Sequence, residues 1–273
     1  MLRCGRFTLP LDRPLVMGVV NVTPDSFSDG GRFLDRAAAL AHARRLIDEG
    51  ADLLDIGGES SRPGARPVSE EEELARVMPV LEALADAPVP LSVDTRRPRI
   101  MREALAHGAS MINDIEALSA PGALETAASS GCAVCLMHKQ GDPASMQCDP
   151  HYQDVVSEVR HYLAGRIAAA RAAGIAHERI VADPGFGFGK TLAHNLALLK
   201  RLPELAGLGV PLLAGWSRKS SLGAIAGRAA DERLAASLAA ALLALLGGAR
   251  ILRVHDVKET LDMVLVWEAW RKA

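Results

Sequence analysis

From residue 15 onward, short apolar runs alternate with longer amphipathic stretches. Apolar runs of four to eight residues, bounded by turn formers, predict strands over 15–20, 52–56, 90–94, 110–113, 132–137, 179–183, 211–215 and 250–254. Helical periodicity fills the intervals, over 35–49, 70–86, 97–107, 121–130, 153–173, 192–206, 231–246 and 256–271. Ser69 with Glu72 predicts a capping box for the second helix, in which Leu74, Val77, Met78, Leu81 and Leu84 form one apolar stripe. Strand-then-helix repeated in this way implies a parallel sheet. Eight such units in about 250 residues match a closed barrel. The expected fold class is therefore α/β, a (β/α)8 TIM barrel forming a single domain over 1–273, with a doubly wound open sheet as the rival. Residues 1–13 form an N-terminal extension before strand one and are expected to cover the bottom of the barrel. No linker, repeat or low-complexity segment divides the chain.

One helix breaks the amphipathic rule. From Leu234 to Leu246 only Ser237 interrupts Leu and Ala. A helix apolar all round must be buried on every side, whereas an outer barrel helix ordinarily faces water. Subunit contact is the economical reading, with Trp267 and Trp270 of the last helix joining it, and the expected assembly is a homodimer.

Composition narrows the class. Hydrophobic residues make up 49% and charged residues 23%, the balance of a globular chain rather than a disordered one. A net charge of −2 gives no electrostatic reason to expect nucleic acid or a membrane surface as partner. The start lacks the apolar core of a signal peptide, and the longest apolar run is too short to span a bilayer. Four cysteines are too few for a disulfide framework. Cys132 and Cys135 form a C-x-x-C, but within a strand pattern and without a second pair, so neither a redox nor a zinc site is expected. The expectation is a reduced, cytoplasmic protein.

Chemistry in such a barrel gathers at the C-terminal ends of the strands. Strand one delivers Asn21 and the polar loop Asn21-Val-Thr-Pro-Asp-Ser-Phe-Ser-Asp-Gly-Gly31, far richer in small polar groups than a corner requires. Strand two delivers Asp55 and the loop 57–64, strand three Asp94, strand four Asn113 and Asp114, and strand five His138. Strand six runs into Asp183-Pro-Gly-Phe-Gly-Phe-Gly-Lys190, strand seven into Gly215-Trp-Ser-Arg-Lys-Ser220, and strand eight into Arg253, His255 and Asp256. Asp94, Asn113 and Asp183 suit a flat heterocycle rich in N–H groups, because a carboxylate meets an amino-pyrimidinone edge with two parallel hydrogen bonds. Arg62, Lys219, Arg253 and His255 suit a phosphate or diphosphate. A ligand with a nitrogen heterocycle at one end and an anion at the other satisfies both sets.

Several of these residues have a purely structural alternative. Asp55 reads as well as a loop cap as a ligand contact. Asp256 reads as the N-cap of the last helix, Asp114 as a cap or brace of its loop, and His138 as either a ligand group or a satisfied barrel-mouth histidine. His42, His107, His161, His177 and His194 read as surface residues. The run 185–190 is neither G-x-G-x-x-G nor a complete P-loop, which argues against ATP.

Taken in order, the segments 17–31, 55–64, 92–95, 112–115, 136–138, 183–190, 217–220 and 253–257 resemble dihydropteroate synthase. The first two loops are the most specific. The resemblance implies a transferase of folate synthesis and sulfonamide target that joins 6-hydroxymethyl-7,8-dihydropterin diphosphate to 4-aminobenzoate with Mg2+, by an SN1-like loss of diphosphate. By position it places Asp94, Asn113, Asp183 and Lys219 on the pterin. Asn21, Ser61, Arg253 and His255 fall on the diphosphate, with Asn21 near the metal. Phe27, Arg62, Pro63, Phe188 and Ser220 fall in the aminobenzoate pocket, and Asp29 falls in a loop whose closure takes part in catalysis. Ser61 departs from the family's usual Thr, and Lys139 from its usual apolar residue. A pterin-dependent methyltransferase and a silent pterin-binding paralogue are the alternatives, and the diphosphate-type set and the two intact loops argue against them.

Overall fold

The strands close on themselves in the computed structural model, which describes residues 1–22, 31–60, 67–142 and 145–273. A hairpin of β1 (Leu2–Cys4) and β2 (Phe7–Leu9) comes first. The barrel follows: β3 (Leu15–Asn21), β4 (Leu53–Gly57), β5 (Leu91–Asp94), β6 (Met111–Asp114), β7 (Ala133–Met137), β8 (Ile180–Asp183), β9 (Leu212–Ala214) and β10 (Ala249–Val254). All pair parallel in chain order, and β10 closes the ring between β9 and β3. The closed ring excludes the open doubly wound sheet.

Helices α1 (Gly31–Asp48), α2 (Glu70–Ala83), α3 (Pro98–Ala106), α4 (Ala123–Ala128), α5 (Val155–Ala172), α6 (Leu192–Lys200), α7 (Leu202–Ala206), α8 (Ser220–Ala226), α9 (Leu234–Leu246) and α10 (Val257–Lys272) surround it. Alternation along each strand sorts the core into two sets. Outward residues such as Val16, Leu54, Val93, Ile112, Val134, Ile180 and Leu252 pack under the helices. Inward residues Leu15, Met17, Leu53, Met111, Cys135, Val181, Leu213 and Ile251 fill the barrel, joined by Leu2 and Cys4 of the hairpin. Gly5 N donates to Gly131 O and Cys4 Sγ to Ser110 O, which pins the hairpin over the N-terminal ends of β6 and β7.

Four local expectations change. The helix expected over 192–206 breaks at Arg201, because Pro203 in the first turn of α7 has no N–H and clashes with the preceding turn. Helix α8 was not expected; it is short and ends at Gly227 in a left-handed conformation (φ +64°). At α2 only half of the capping box forms. Ser69 Oγ accepts from Glu72 N (3.1 Å), but the Glu72 carboxylate turns to Arg76 (2.5 Å). Helix α9 is buried on one face, through Ser237, Ala240, Ala241, Ala244 and Leu245, while Leu243 and Leu246 are exposed. Trp267 lies in the core and only Trp270 of the pair is exposed.

Candidate active site

Strand parity carries a second set of inward residues to the mouth of the barrel. Two positions beyond Leu53, Met111, Val181 and Ile251 stand Asp55, Asn113, Asp183 and Arg253. In the ladder Asp94 faces Asn113 on one side and Gly57 on the other. The polar mouth is thus the continuation of the apolar interior, one inward step further along the same strands.

Arg253 holds this cup together. Its Nε donates to Asp55 Oδ2 (2.6 Å) and its Nη2 to Asp94 Oδ2 (2.8 Å), which leaves Nη1 as the guanidinium nitrogen that neither carboxylate takes. Asn113 Nδ2 donates to the same Asp55 oxygen (2.9 Å). Asp55 is wholly buried, and its second oxygen has no partner among the described residues. The reading of Asp55 as a loop cap is therefore wrong. Nothing in the sequence around residue 55 reveals a partner 198 positions away. Burial lifts the Asp94 carboxyl up to about 7, with Asp55 adding repulsion and Arg253 opposing.

The opposite wall is built from β8 and the loop after β9. Burial also raises the Asp183 carboxyl, against the pull of Lys219. Asp183 Oδ1 accepts from Gly185 N (2.7 Å), which turns the chain back over the barrel. Gly185 is left-handed (φ +67°), and a Cβ there would collide with the His138 carbonyl, so only glycine fits. Lys219 donates to Phe186 O and lies over the Phe188 ring, 4.6 Å from its centroid. Burial lowers its ammonium to about 8, with Asp183 pulling the other way. Ser217 Oγ meets both the backbone N (3.2 Å) and Nδ1 (3.0 Å) of His255, which fixes that ring two residues beyond Arg253 in the chain.

Lys190 and His138 form a knot behind this wall. Lys190 Nζ is buried among His138 Nδ1 (2.9 Å), Gly185 O (3.0 Å), Phe188 O (3.0 Å) and His138 O (3.3 Å). Burial brings its ammonium down to about 7. His138 sinks to about 3, by burial first and Lys190 second, so it is a neutral acceptor and not an anion-binding cation. The phosphate-loop resemblance at 185–190 thus comes from a lysine that staples its own loop. Lys139, the departure from the family pattern, pairs at the rim with Glu116 (3.2 Å) and Gly141 O (3.1 Å).

The structure therefore brings Asp94, Asn113, Asp183, Phe188, Lys219, Arg253 and His255 to one mouth. Asn21 ends β3 at the same end of the barrel, and Ser220 opens α8 exposed at the rim. Asp29, Ser61 and Arg62, with Phe27 and Pro63, lie outside the described residues. Asp114 braces its loop through Glu116 N (2.7 Å) and Leu118 N (2.8 Å). Asp256 sits at the N-cap position of α10 but makes no side-chain cap, because its carboxylate pairs with Arg218. Three of the histidines read as surface are half-buried. His42 donates to Val19 O (3.1 Å), His194 completes a capping box with Thr191, and His107 reaches back to Glu103 O (2.7 Å).

Comparison with known proteins shows the family. The family model for the pterin binding enzymes matches residues 17–255. The dihydropteroate synthase of Neisseria meningitidis serogroup B is 57% identical, over 98% of this chain and 96% of its own length. The Xanthomonas albilineans dihydropteroate synthase solved with 4-aminobenzoic acid superposes with a TM-score of 0.92 at 56% identity, covering 97% of this chain and 96% of that one. The same enzyme solved with 7,8-dihydropteroate gives 0.89 at 54% identity, over 97% and 96% of the two chains. A match spanning residues 17–255, with relatives more than half identical over nearly the full length, means that this chain belongs to the pterin binding enzymes and, among them, to the dihydropteroate synthases.

Proposed function

We propose that the cup around Arg253 is the pterin pocket of this transferase, that its Arg253–His255 flank receives the diphosphate, and that the enzyme works with Mg2+ as a cytoplasmic homodimer. The reaction is that of the family: 6-hydroxymethyl-7,8-dihydropterin diphosphate and 4-aminobenzoate give 7,8-dihydropteroate and diphosphate, in folate biosynthesis. The observation that carries the assignment is the gathering of Asp94, Asn113 and Asp183, acceptors for a ring edge rich in N–H groups, around one arginine at the end of an apolar barrel. Burial raises both carboxyls, so a ligand that donates two hydrogen bonds to either gains from replacing lost water. The half-exposed Phe188 with Lys219 over its ring supplies an apolar wall beside the cup, suited to the arylamine.

The chemistry follows from these groups. Arg253 Nη1 and the ring of His255, held by Ser217, stand where charge develops on the departing diphosphate. The electron-rich dihydropterin spreads positive charge from the methylene, giving an SN1-like departure, and the neutral arylamine attacks without a strong base. Asn21 offers one amide oxygen at the end of β3, and among the described residues no acidic, histidine or cysteine cluster gathers three ligands. That donor set fits a Mg2+ ion that keeps its waters and takes its remaining ligands from the diphosphate. Bound there, it would neutralise phosphate charge. Asp29, Ser61 and Arg62 enter this reading on the resemblance of their loops alone.

Leu243, Leu246, Leu265, Val266 and Trp270 are exposed on the adjacent helices α9 and α10, an apolar face suited to a second copy of the chain. No described helix is long and apolar enough to cross a membrane, and the four cysteines are free thiols.

The test is Mg2+-dependent incorporation of labelled 4-aminobenzoate into dihydropteroate, with Lys219→Ala and Arg253→Ala beside the parent. Turnover in the parent with large losses in both variants is expected. A folded parent that binds pterin tightly yet turns nothing over would leave the silent paralogue as the better reading.

A further inference from the structure

The lone polar residue of the Leu/Ala helix, Ser237, faces the active-site loop. It is buried, and its hydroxyl is used twice: Oγ donates to Arg233 O (2.7 Å) and accepts from Arg218 N (3.0 Å). Arg218 immediately precedes Lys219 and has a left-handed backbone (φ +59°), rare for a residue with a side chain. Such a conformation persists only where its surroundings over-determine it. Here three residues do so. Besides Ser237, Arg233 Nη1 donates to Arg218 O (2.9 Å) and Lys219 O (3.3 Å), and the Arg218 guanidinium pairs with Asp256. Arg233 is itself anchored through Nε to Arg228 O (2.9 Å), and a Cβ on Gly223 would collide with its guanidinium. The left-handed residue reverses the chain at the step that sends Lys219 inward to Phe186 O and Phe188.

We infer that Ser237, in the first turn of α9, and Arg233, at its N-cap, are positioning residues for Lys219, holding the strained Arg218 backbone that aims the Lys219 amine into the pterin cup. The inference rests on the assignment of Lys219 to the pterin pocket. It explains why one hydroxyl interrupts a helix that is otherwise Leu and Ala: an alanine at 237 suits the helix better but leaves the Arg218 N–H without its acceptor. It also explains the glycine in α8, whose missing side chain makes room for the Arg233 guanidinium.

The decisive experiment is calorimetric binding of 6-hydroxymethylpterin to the full chain, with thermal unfolding recorded on each variant. Ser237→Ala is expected to weaken binding about tenfold while leaving the unfolding midpoint near the parent's, and to add nothing on top of Lys219→Ala, because residues that act through one another are not additive. Ser237→Thr, which keeps a hydroxyl able to bond the carbonyl four residues back, should retain most of the parent affinity. Gly223→Ala, favourable for a helix, should weaken binding by displacing Arg233. Additive losses in Ser237→Ala/Lys219→Ala would overturn the inference, since they mean that Ser237 acts elsewhere. So would parent affinity in Ser237→Ala alongside a loss in Lys219→Ala. Parent affinity in Lys219→Ala would remove the pterin assignment of Lys219 itself, and this inference with it.

Discussion

One inward step along the strands separates two interiors with opposite chemistry. The lower one is apolar: Leu15, Met17, Leu53, Met111, Cys135, Val181, Leu213 and Ile251, closed beneath by Leu2 and Cys4. The upper one holds Asp55, Asp94, Asn113 and Arg253, joined by hydrogen bonds and ion pairs, with Asp183 beside them accepting from Gly185 N. At roughly 3.3 Å per residue the two layers are about 7 Å apart. The difference shows how the barrel divides its labour. The floor gains free energy by leaving water, and shape decides how much. The cup loses hydration, is held only by mutual pairing, and keeps donors and acceptors for a ligand. Each layer therefore has its own way of failing.

The largest effect is expected in the cup. Arg253→Met leaves the Asp55 and Asp94 carboxylates buried without their cation. It should cost about 3–5 kcal/mol of stability at pH 8, the usual price of breaking a buried pair from one side. The same variant should lose on the order of 10²–10³ in kcat/KM. Urea unfolding at pH 5 and pH 8 checks the cause, because the stability loss should shrink at pH 5, where the Asp94 carboxyl, lifted by burial, can take up a proton.

The floor should answer in the other currency. Ile251→Ala, two residues before Arg253 on the same strand, should cost about 2–5 kcal/mol in chemical denaturation. It should leave kcat/KM at the parent value wherever the variant is folded. A matching loss of turnover would show that the floor tunes the cup, and the division would fail.

Proton binding sharpens the comparison, since the cup titrates near neutrality and the apolar floor does not. Pterin affinity should rise as pH approaches 7 and Asp94 ionises, then fall above about 8 as Lys219 loses its proton. The apparent values belong to the coupled set rather than to single residues. In the unliganded protein the raised Asp94 value acts on stability in one direction. The folded state binds this proton more tightly than the unfolded chain, so the contribution is present at low pH and is lost as pH rises through about 7. Asp94→Asn should flatten both the acid limb of binding and this part of the stability profile. Calorimetric titrations from pH 5.5 to 9, a range set by those two values, would show a profile indifferent to Asp94→Asn if the carboxylate plays no part.

The smallest effect belongs to a conservative change. Met111→Leu in the floor keeps volume and should cost less than about 1.5 kcal/mol with activity intact. Asn113→Leu, two residues on, strips Asp55 of a donor and should abolish pterin binding. Thermal unfolding and binding of 6-hydroxymethylpterin distinguish the two.

Much of this arrangement is legible in the chain. Barrel strands fall within a residue or so of their expected places because each is an apolar run bounded by polar or turn-forming residues, and the polar residues at or just past several of these ends make up the candidate site. Asp94, Asn113, Asp183, Lys219 and Arg253 stand out because nothing local accounts for a charge or amide at the end of a buried strand. Several residues that were misjudged or left open have their decisive partners far away in sequence. Asp55 depends on Arg253, Asp256 on Arg218 and His42 on the Val19 carbonyl, and Lys190 decides for the satisfied reading of His138. Helix α8 escaped notice because a seven-residue helix has too little periodicity to show. The break after α6 turns on a single proline inside a pattern that otherwise continues.

Alternation of apolar runs with amphipathic stretches, which is local and repeated, is enough by itself to determine eight strand–helix units around a parallel sheet, the strand ends expected to carry chemistry, and the two kinds of group offered there, while closure into a barrel rather than an open sheet is settled by the pairing of β10 between β9 and β3. Only the tertiary structure decided which carboxylates share Arg253, that Lys190 binds its own loop rather than a phosphate, and that a serine in a Leu/Ala helix holds the backbone before Lys219. The physical reason is range. Periodicity and turn chemistry act over a few residues, whereas pairing and desolvation depend on which groups the closed barrel brings within hydrogen-bond distance, across 198 residues of chain for Arg253 and Asp55.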